Sequence, residues 1–160
     1  LNAYYFISRG SINYDLKSRE YGSVGIFFGI LGILSGMIWA KFTCVAYWTN
    51  DPKLNRSELS LLIYFSYFVL RGSIRDQIKK AKISSVYNIF AFAMLIPLLF
   101  ILPRMTDSLH PGNGGNPGFN VYDMNSQLRI VFYPAVIGFI LLGIWITKLR
   151  LRLKFFNHTN

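Results

Sequence analysis

Residues 21–40 read YGSVGIFFGILGILSGMIWA, twenty consecutive positions without a charged side chain. At a rise of about 1.5 Å per residue, a helix of that length spans about 30 Å, the hydrocarbon thickness of a bilayer. Inside lipid a single segment can satisfy its backbone donors and acceptors only as a helix. Gly22, Gly25, Gly29, Gly32 and Gly36 recur in this run at spacings of three and four, which places all five on one helix stripe. Lipid gives helices no hydrophobic reason to associate, so close backbone approach over small residues has to contribute. The stripe predicts a helix-packing seam.

Working outward, Ile83–Pro103 and Ile130–Thr147 are two further charge-free runs, and Pro97 interrupts the first with an expected kink. Leu59–Leu70 is shorter. It spans a bilayer only if its helix starts near Pro52 and holds Arg56 and Glu58 at the interface. The opening LNAYYFI reads as the last turns of an apolar helix that began upstream, so further spans are expected before Leu1. The composition agrees: 52% hydrophobic and 15% charged, where a soluble domain carries about a quarter charged residues. The expected fold is an all-α, multi-pass transmembrane helix bundle forming one membrane domain over residues 1–160. It has four complete spans plus the end of a preceding one.

The net charge is +10. Of the seventeen Lys and Arg residues, twelve fall in Arg9–Glu20, Arg71–Lys82 and the segment from Lys148 onward, against five in 41–58 and 104–129. Basic loops stay in the cytoplasm. The two poorer loops, 41–58 and 104–129, therefore share the outer face. Every basic stretch flanks a helix, so nucleic acid is not an expected partner. The partner this charge implies is the membrane lipid bilayer. The single cysteine, Cys44, excludes an intrachain disulfide and any multi-cysteine metal site.

The first outer loop carries WAKFTCVAYWTNDPKLN, Trp39–Asn55. Trp39, Tyr47 and Trp48 suit a membrane interface on composition alone. Asp51 followed by Pro52 has the form of a helix N-cap and first helical position. The second outer loop carries His110 followed by four glycines and two prolines within nine residues. Such a stretch is irregular and can wrap a ligand. Imidazole is a common axial ligand to haem iron, and His110 beside an aromatic shelf suits that role. His158 lies in the basic tail at the opposite side. No nucleophile–base pair, carboxylate dyad or metal cluster is evident, so the chain does not read as an enzyme.

The Trp39–Asn55 segment resembles the tryptophan-rich WWD signature of haem-handling membrane proteins, and the chain is similar to the CcmC branch that delivers haem in cytochrome c maturation. The pattern W-G-K-x-x-W-G-x-W-W-x-W-D-x-R-L-T lies on it without gaps. Trp39, Lys41, Trp48, Asp51 and Leu54 match, and Tyr47 and Lys53 are conservative replacements. The family's second outer-loop histidine falls on His110 in LHPGNGGNPGF, and the similarity runs from about Tyr21 to Ile146. Three departures matter: Cys44 and Asn50 stand where the family has tryptophan, and Val45 where it has glycine.

The resemblance implies a site in which Trp39, Tyr47, Trp48, Asp51 and Lys53 bind haem and His110 ligates its iron. Lys53, with Lys41 or Arg104, would meet the propionates, and haem would be transient cargo. It places a first axial histidine upstream of Leu1, so this chain alone is expected to bind haem weakly or with one protein ligand. It implies a CcmE-type haem chaperone, a CcmA/CcmB transporter and a CcmD-type small protein as partners. The location implied is the bacterial inner membrane, with the functional loops facing the periplasm. Two other readings stay open: a subunit of a haem lyase or cytochrome c synthase, and a small-molecule permease or structural subunit without haem.

Overall fold

The computed structural model describes residues 1–102, 105 and 124–159 of the chain. Among these there are helices and no strands. They are α1 (Asn2–Arg9), α2 (Ile12–Cys44), α3 (Pro52–Ser73), α4 (Gln77–Leu95) and α5 (Ser126–Thr159). Alpha-helical geometry in α4 passes into a π-helical segment at Ile96–Ile101.

Three helical stretches are long and apolar enough to cross a membrane: Ile12–Thr43, Gln77–Ile101 and Ser126–Phe156. The fourth expected span, α3, has 22 residues and hence about 33 Å of length. It is less apolar than the other three, because it includes Lys53, Arg56, Glu58 and Arg71. The segment read as the end of a preceding span is α1, a separate eight-residue helix stopped by Gly10. That residue adopts φ 70°, and its amide donates to the Phe6 carbonyl. Only glycine takes this left-handed conformation without steric cost.

The helices alternate in direction. The Asp15 carboxylate at the start of α2 accepts from Arg71 at the end of α3, Nη1 to Oδ1 2.7 Å. Asn88 of α4 donates to Ser18 of α2 at 2.6 Å, and the Tyr87 hydroxyl donates to the Ile63 carbonyl of α3 at 3.2 Å. On the far side of α2, Phe28 meets Phe139 of α5 edge-on, 6.3 Å between centroids. Arg150 Nε donates to Glu20 Oε2 at 2.8 Å. The beginnings of α2 and α4 and the ends of α3 and α5 thus lie at one end of the bundle. The α2–α3 connection and both flanks of the α4–α5 connection lie at the other.

The interior between helices is filled by small and polar residues, including Ala81, Ala91, Ser84, Ser85 and Thr147, with Tyr67 as the one large aromatic ring wholly enclosed among the described residues. Large apolar side chains such as Phe92, Phe139, Ile140 and Trp145 face outward. That distribution suits a lipid solvent, where packing between helices depends on small residues.

Pro97 does not break the fourth helix. The helix widens there, and the Leu102 amide donates to the Pro97 carbonyl, a five-residue step of the π-helical kind.

The glycine stripe serves as a seam over part of its length. A Cβ on Gly22 would touch Tyr67 and Phe68 at 3.8 Å, and one on Gly29 would come within 2.9 Å of Leu61. Gly25, Gly32 and Gly36 have no such neighbour within 4 Å. All five glycines instead line an apolar cleft of about 1330 Å³, together with the Leu54–Ser57–Leu61–Tyr64 face of α3 and Ile89, Phe92 and Leu95 of α4. The expected seam is therefore confined to Gly22 and Gly29, which pack against α3, while the other three glycines face the cleft with nothing beside them.

Candidate functional site

The α2–α3 connection is shorter than the expected loop 41–58. Helical backbone persists to Cys44 and resumes at Pro52, so Lys41 belongs to the last turn of α2 and Lys53 to the first turn of α3. Seven residues, 45–51, remain to reverse the chain.

The reversal begins at Val45, the C-cap of α2, with φ 62° and ψ −2°. It is the one non-glycine residue with positive φ among those described. A β-branched residue is strained there, because its Cβ crowds the backbone. The position is the one where the WWD pattern has glycine, so the geometry gives that glycine a physical reason. The fold has kept the left-handed turn and placed valine in it. Lys41 braces the turn, its ammonium donating to the Val45 carbonyl at 3.2 Å and lying 5.2 Å from the centroid of the Tyr47 ring.

The reversal ends at Asp51. Its carboxylate is 4% exposed and accepts from the amides of Lys53 at 2.9 Å and Leu54 at 3.4 Å. Pro52 occupies the first helical position. Asn50 sits just outside, its side-chain oxygen accepting from Asn55 Nδ2 at 2.6 Å. Asp51 therefore fixes where α3 starts and how the loop meets it, which is the helix-start reading of Asp51-Pro52.

At and beside this turn the aromatic residues face outward. Trp39 is 52% exposed, Tyr47 57% and Trp48 37%. Phe42 stands one turn from Trp39, near the end of α2, and is 84% exposed. Sequence reasoning missed Phe42 because it occupies an unspecified position of the WWD pattern. Its signal was its i+3 placement from Trp39, which sets both rings on one face of α2. Lys53 lines the top of the cleft beside Leu54 and near Leu99 and Phe100. Lys41, Tyr47, Trp39 and Lys53 thus occupy the same end of the bundle as Trp48 and Asp51.

His110 and Arg104 lie outside the described residues. The flanks of their loop are described, and they leave and rejoin the bundle at this same end. Leu99 and Phe100 line the cleft with Lys53 and Leu54. The pairing of Phe139 with Phe28 carries the first turn of α5 to the level of the last turn of α2. Among the described residues no three His, Cys, Asp or Glu side chains group as metal ligands.

Antiparallel, long apolar helices, joined at one end by an outward-facing aromatic and cationic turn, define a multi-pass membrane protein. The family model for cytochrome C assembly protein matches residues 12–110, and the chain belongs to that family. Heme exporter protein C of Haemophilus influenzae is 21% identical over 131 residues, covering 82% of this chain and 52% of the relative. Cytochrome c biogenesis protein CcsA of Gossypium barbadense is 32% identical over 77 residues, 44% of this chain and 24% of the relative. The CcsA of Synechococcus sp. (strain CC9902) is 30% identical over 86 residues, 52% and 28% respectively. The chain thus spans about half the length of the first of these and about a quarter of the other two. No solved structure matches it.

Proposed function

We propose that this chain is a non-enzymatic haem-handling membrane protein of cytochrome c-type biogenesis, which holds haem at the α2–α3 turn and presents it to a membrane-anchored haem chaperone of the CcmE type. The observation that carries this reading is the turn itself. Exposed Trp39, Phe42, Tyr47 and Trp48 stand beside Lys41 and Lys53, at the end of the bundle where both flanks of the His110 loop arrive. Haem is a flat apolar disc with two carboxylates on one edge. Aromatic rings offer it a face, with about 0.5–1.5 kcal/mol for each ring pair beyond the area buried. Lysine ammonium groups suit the carboxylates through charge-assisted hydrogen bonds.

In this mechanism Lys41 both orients Tyr47 and holds the turn, while Lys53 approaches the propionates from the start of α3. Asp51 acts on the site by capping α3 and setting the loop's exit. His110 supplies one axial nitrogen to the iron. An exposed site releases its cargo readily, which delivery requires. The outer face is then the periplasmic side of a bacterial inner membrane, and a CcmA/CcmB transporter and a CcmD-type small protein complete the assembly. The family membership and the relative named heme exporter protein C support this reading.

The test is haem titration of the purified protein, followed by absorbance of the Soret band. Saturable binding is expected, and His110→Ala should lose the axial-histidine spectrum and weaken binding at least tenfold. An unaltered spectrum and affinity in that variant would remove His110 from the site.

The matches to CcsA proteins, at higher identity over about half of the chain, favour a second reading, a subunit of a cytochrome c synthase. It differs in outcome: covalent attachment of haem to apocytochrome thiols when the chain is supplied with both.

A further inference from the structure

The end of the bundle opposite the aromatic turn carries twelve Lys and Arg residues, against three acidic ones among those described there: Asp15, Glu20 and Asp76. All three acids are engaged within the fold. Asp15 is 5% exposed and holds Arg71 in a two-pronged ion pair. Glu20 is 1% exposed and is shared between Arg150 and Lys154. Asp76 caps α4, accepting from the Lys79 amide at 2.7 Å. Nine cations then have no carboxylate within ion-pair distance among the described residues: Arg9, Lys17, Arg19, Arg75, Lys79, Lys80, Lys82, Lys148 and Arg152.

Their densest group is at the start of α4. Lys79 and Lys82 share one outward face of the helix at three-residue spacing, and Arg75 stands just before its cap Asp76; all three are exposed. The same face continues along the helix as exposed Val86 and Phe90. On α5, exposed Trp145 lies one turn deeper than Lys148, and on α2 exposed Tyr21 follows Arg19. Amphipathic rings at this depth mark a membrane–water boundary. The cations therefore stand at headgroup level, above a surface that continues as an apolar contact for acyl chains.

We infer that this collar, centred on Arg75, Lys79 and Lys82, is a binding surface for anionic phospholipid headgroups. Charge complementarity selects the occupant. Nine uncompensated positive charges at one boundary repel one another, and lipid phosphates neutralise them while their tails cover Val86 and Phe90. A soluble acidic protein meets only the charges and leaves the adjoining apolar strip to other contacts. The surface is independent of the haem site, which lies at the other end of the bundle.

The test extracts the protein from membranes containing equal phosphatidylcholine and phosphatidylglycerol and counts retained lipids by native mass spectrometry. Retained phosphatidylglycerol should exceed phosphatidylcholine, and the excess should shrink as salt rises. The triple variant R75Q/K79Q/K82Q should lose selectivity by about fivefold for each charge removed. The charge-preserving K79R/K82R variant should keep it, which separates loss of charge from loss of fold. Equal retention of the two lipids by the parent protein, or undiminished selectivity in the triple variant, overturns the inference. So does displacement of phosphatidylglycerol by an equal concentration of inorganic phosphate, which would make the collar a site for free phosphate.

Discussion

The Lys41 ammonium stands 5.2 Å from the centre of the Tyr47 ring, the last turn of α2 reaching across to the loop it enters. The contact joins a charge to an aromatic face that is 57% exposed, so it contributes about 0.5–1 kcal/mol. Replacing Lys41 with Met should cost the fold about that much in thermal unfolding while weakening haem binding several-fold. Lys41→Arg should preserve both. Equal haem affinity in Lys41→Met would show that the residue braces the turn and does no more.

Val45→Gly should stabilise the protein. The left-handed conformation costs a β-branched residue about 1–2 kcal/mol, while glycine surrenders about 0.5–1 kcal/mol of chain entropy on folding. The balance favours glycine by about 0.5–1 kcal/mol, read as a rise in the melting temperature in detergent. A fall in melting temperature would mean that the valine side chain makes contacts outweighing the strain.

Asp51 separates two roles by the choice of substitution. Losing the cap in Asp51→Ala should cost about 0.5–2 kcal/mol, whereas Asp51→Asn keeps an oxygen for the Lys53 and Leu54 amides and should retain most of the stability. Haem affinity in Asp51→Asn should match the parent, because the carboxylate is already engaged by those amides. A large loss of affinity with intact stability would instead put its charge in contact with ligand.

The two acid–base pairings at the opposite end should differ in consequence. Asp15 and Arg71 are both enclosed, with side chains 7% and 12% exposed, and Asp15→Asn strands a buried guanidinium at a cost of about 3–5 kcal/mol. Around Glu20 the cations are more open, Arg150 at 47% and Lys154 at 33%. They can turn to water when Glu20→Gln removes their partner, so the loss should be nearer 1–3 kcal/mol. Chemical unfolding of the two variants side by side checks the ranking.

The helices were legible in the sequence because lipid imposes long uncharged runs: Tyr21–Ala40 and Ile130–Thr147 each lie within one, and Ile83–Pro103 is helical as far as Ile101. Asp51-Pro52 was legible as a helix start because capping is local chemistry. The loop bounds were not. Charged Lys41, Lys53, Arg56 and Glu58 suggested a loop over 41–58, yet helix geometry runs through them, since charge at a helix end is tolerated at an interface. The cleft was also hidden: five glycines on one stripe say that approach is possible, and only the packed fold shows that Gly25, Gly32 and Gly36 stay uncovered. The strain at Val45 follows from a φ angle that no composition reveals.

The chain's three tryptophans offer the most direct measurement. Trp48 belongs to the proposed haem site, while Trp145 lies toward the other end of α5, about 30 Å deeper by helical rise. In two variants, one retaining Trp48 alone and one retaining Trp145 alone, haem is titrated and fluorescence followed. The account predicts strong, saturable quenching of Trp48, much weaker quenching of Trp145, and loss of the Trp48 saturation in His110→Ala. Quenching of Trp145 equal to that of Trp48, or a Trp48 response indifferent to His110, would contradict the placement of haem between the aromatic turn and the histidine loop.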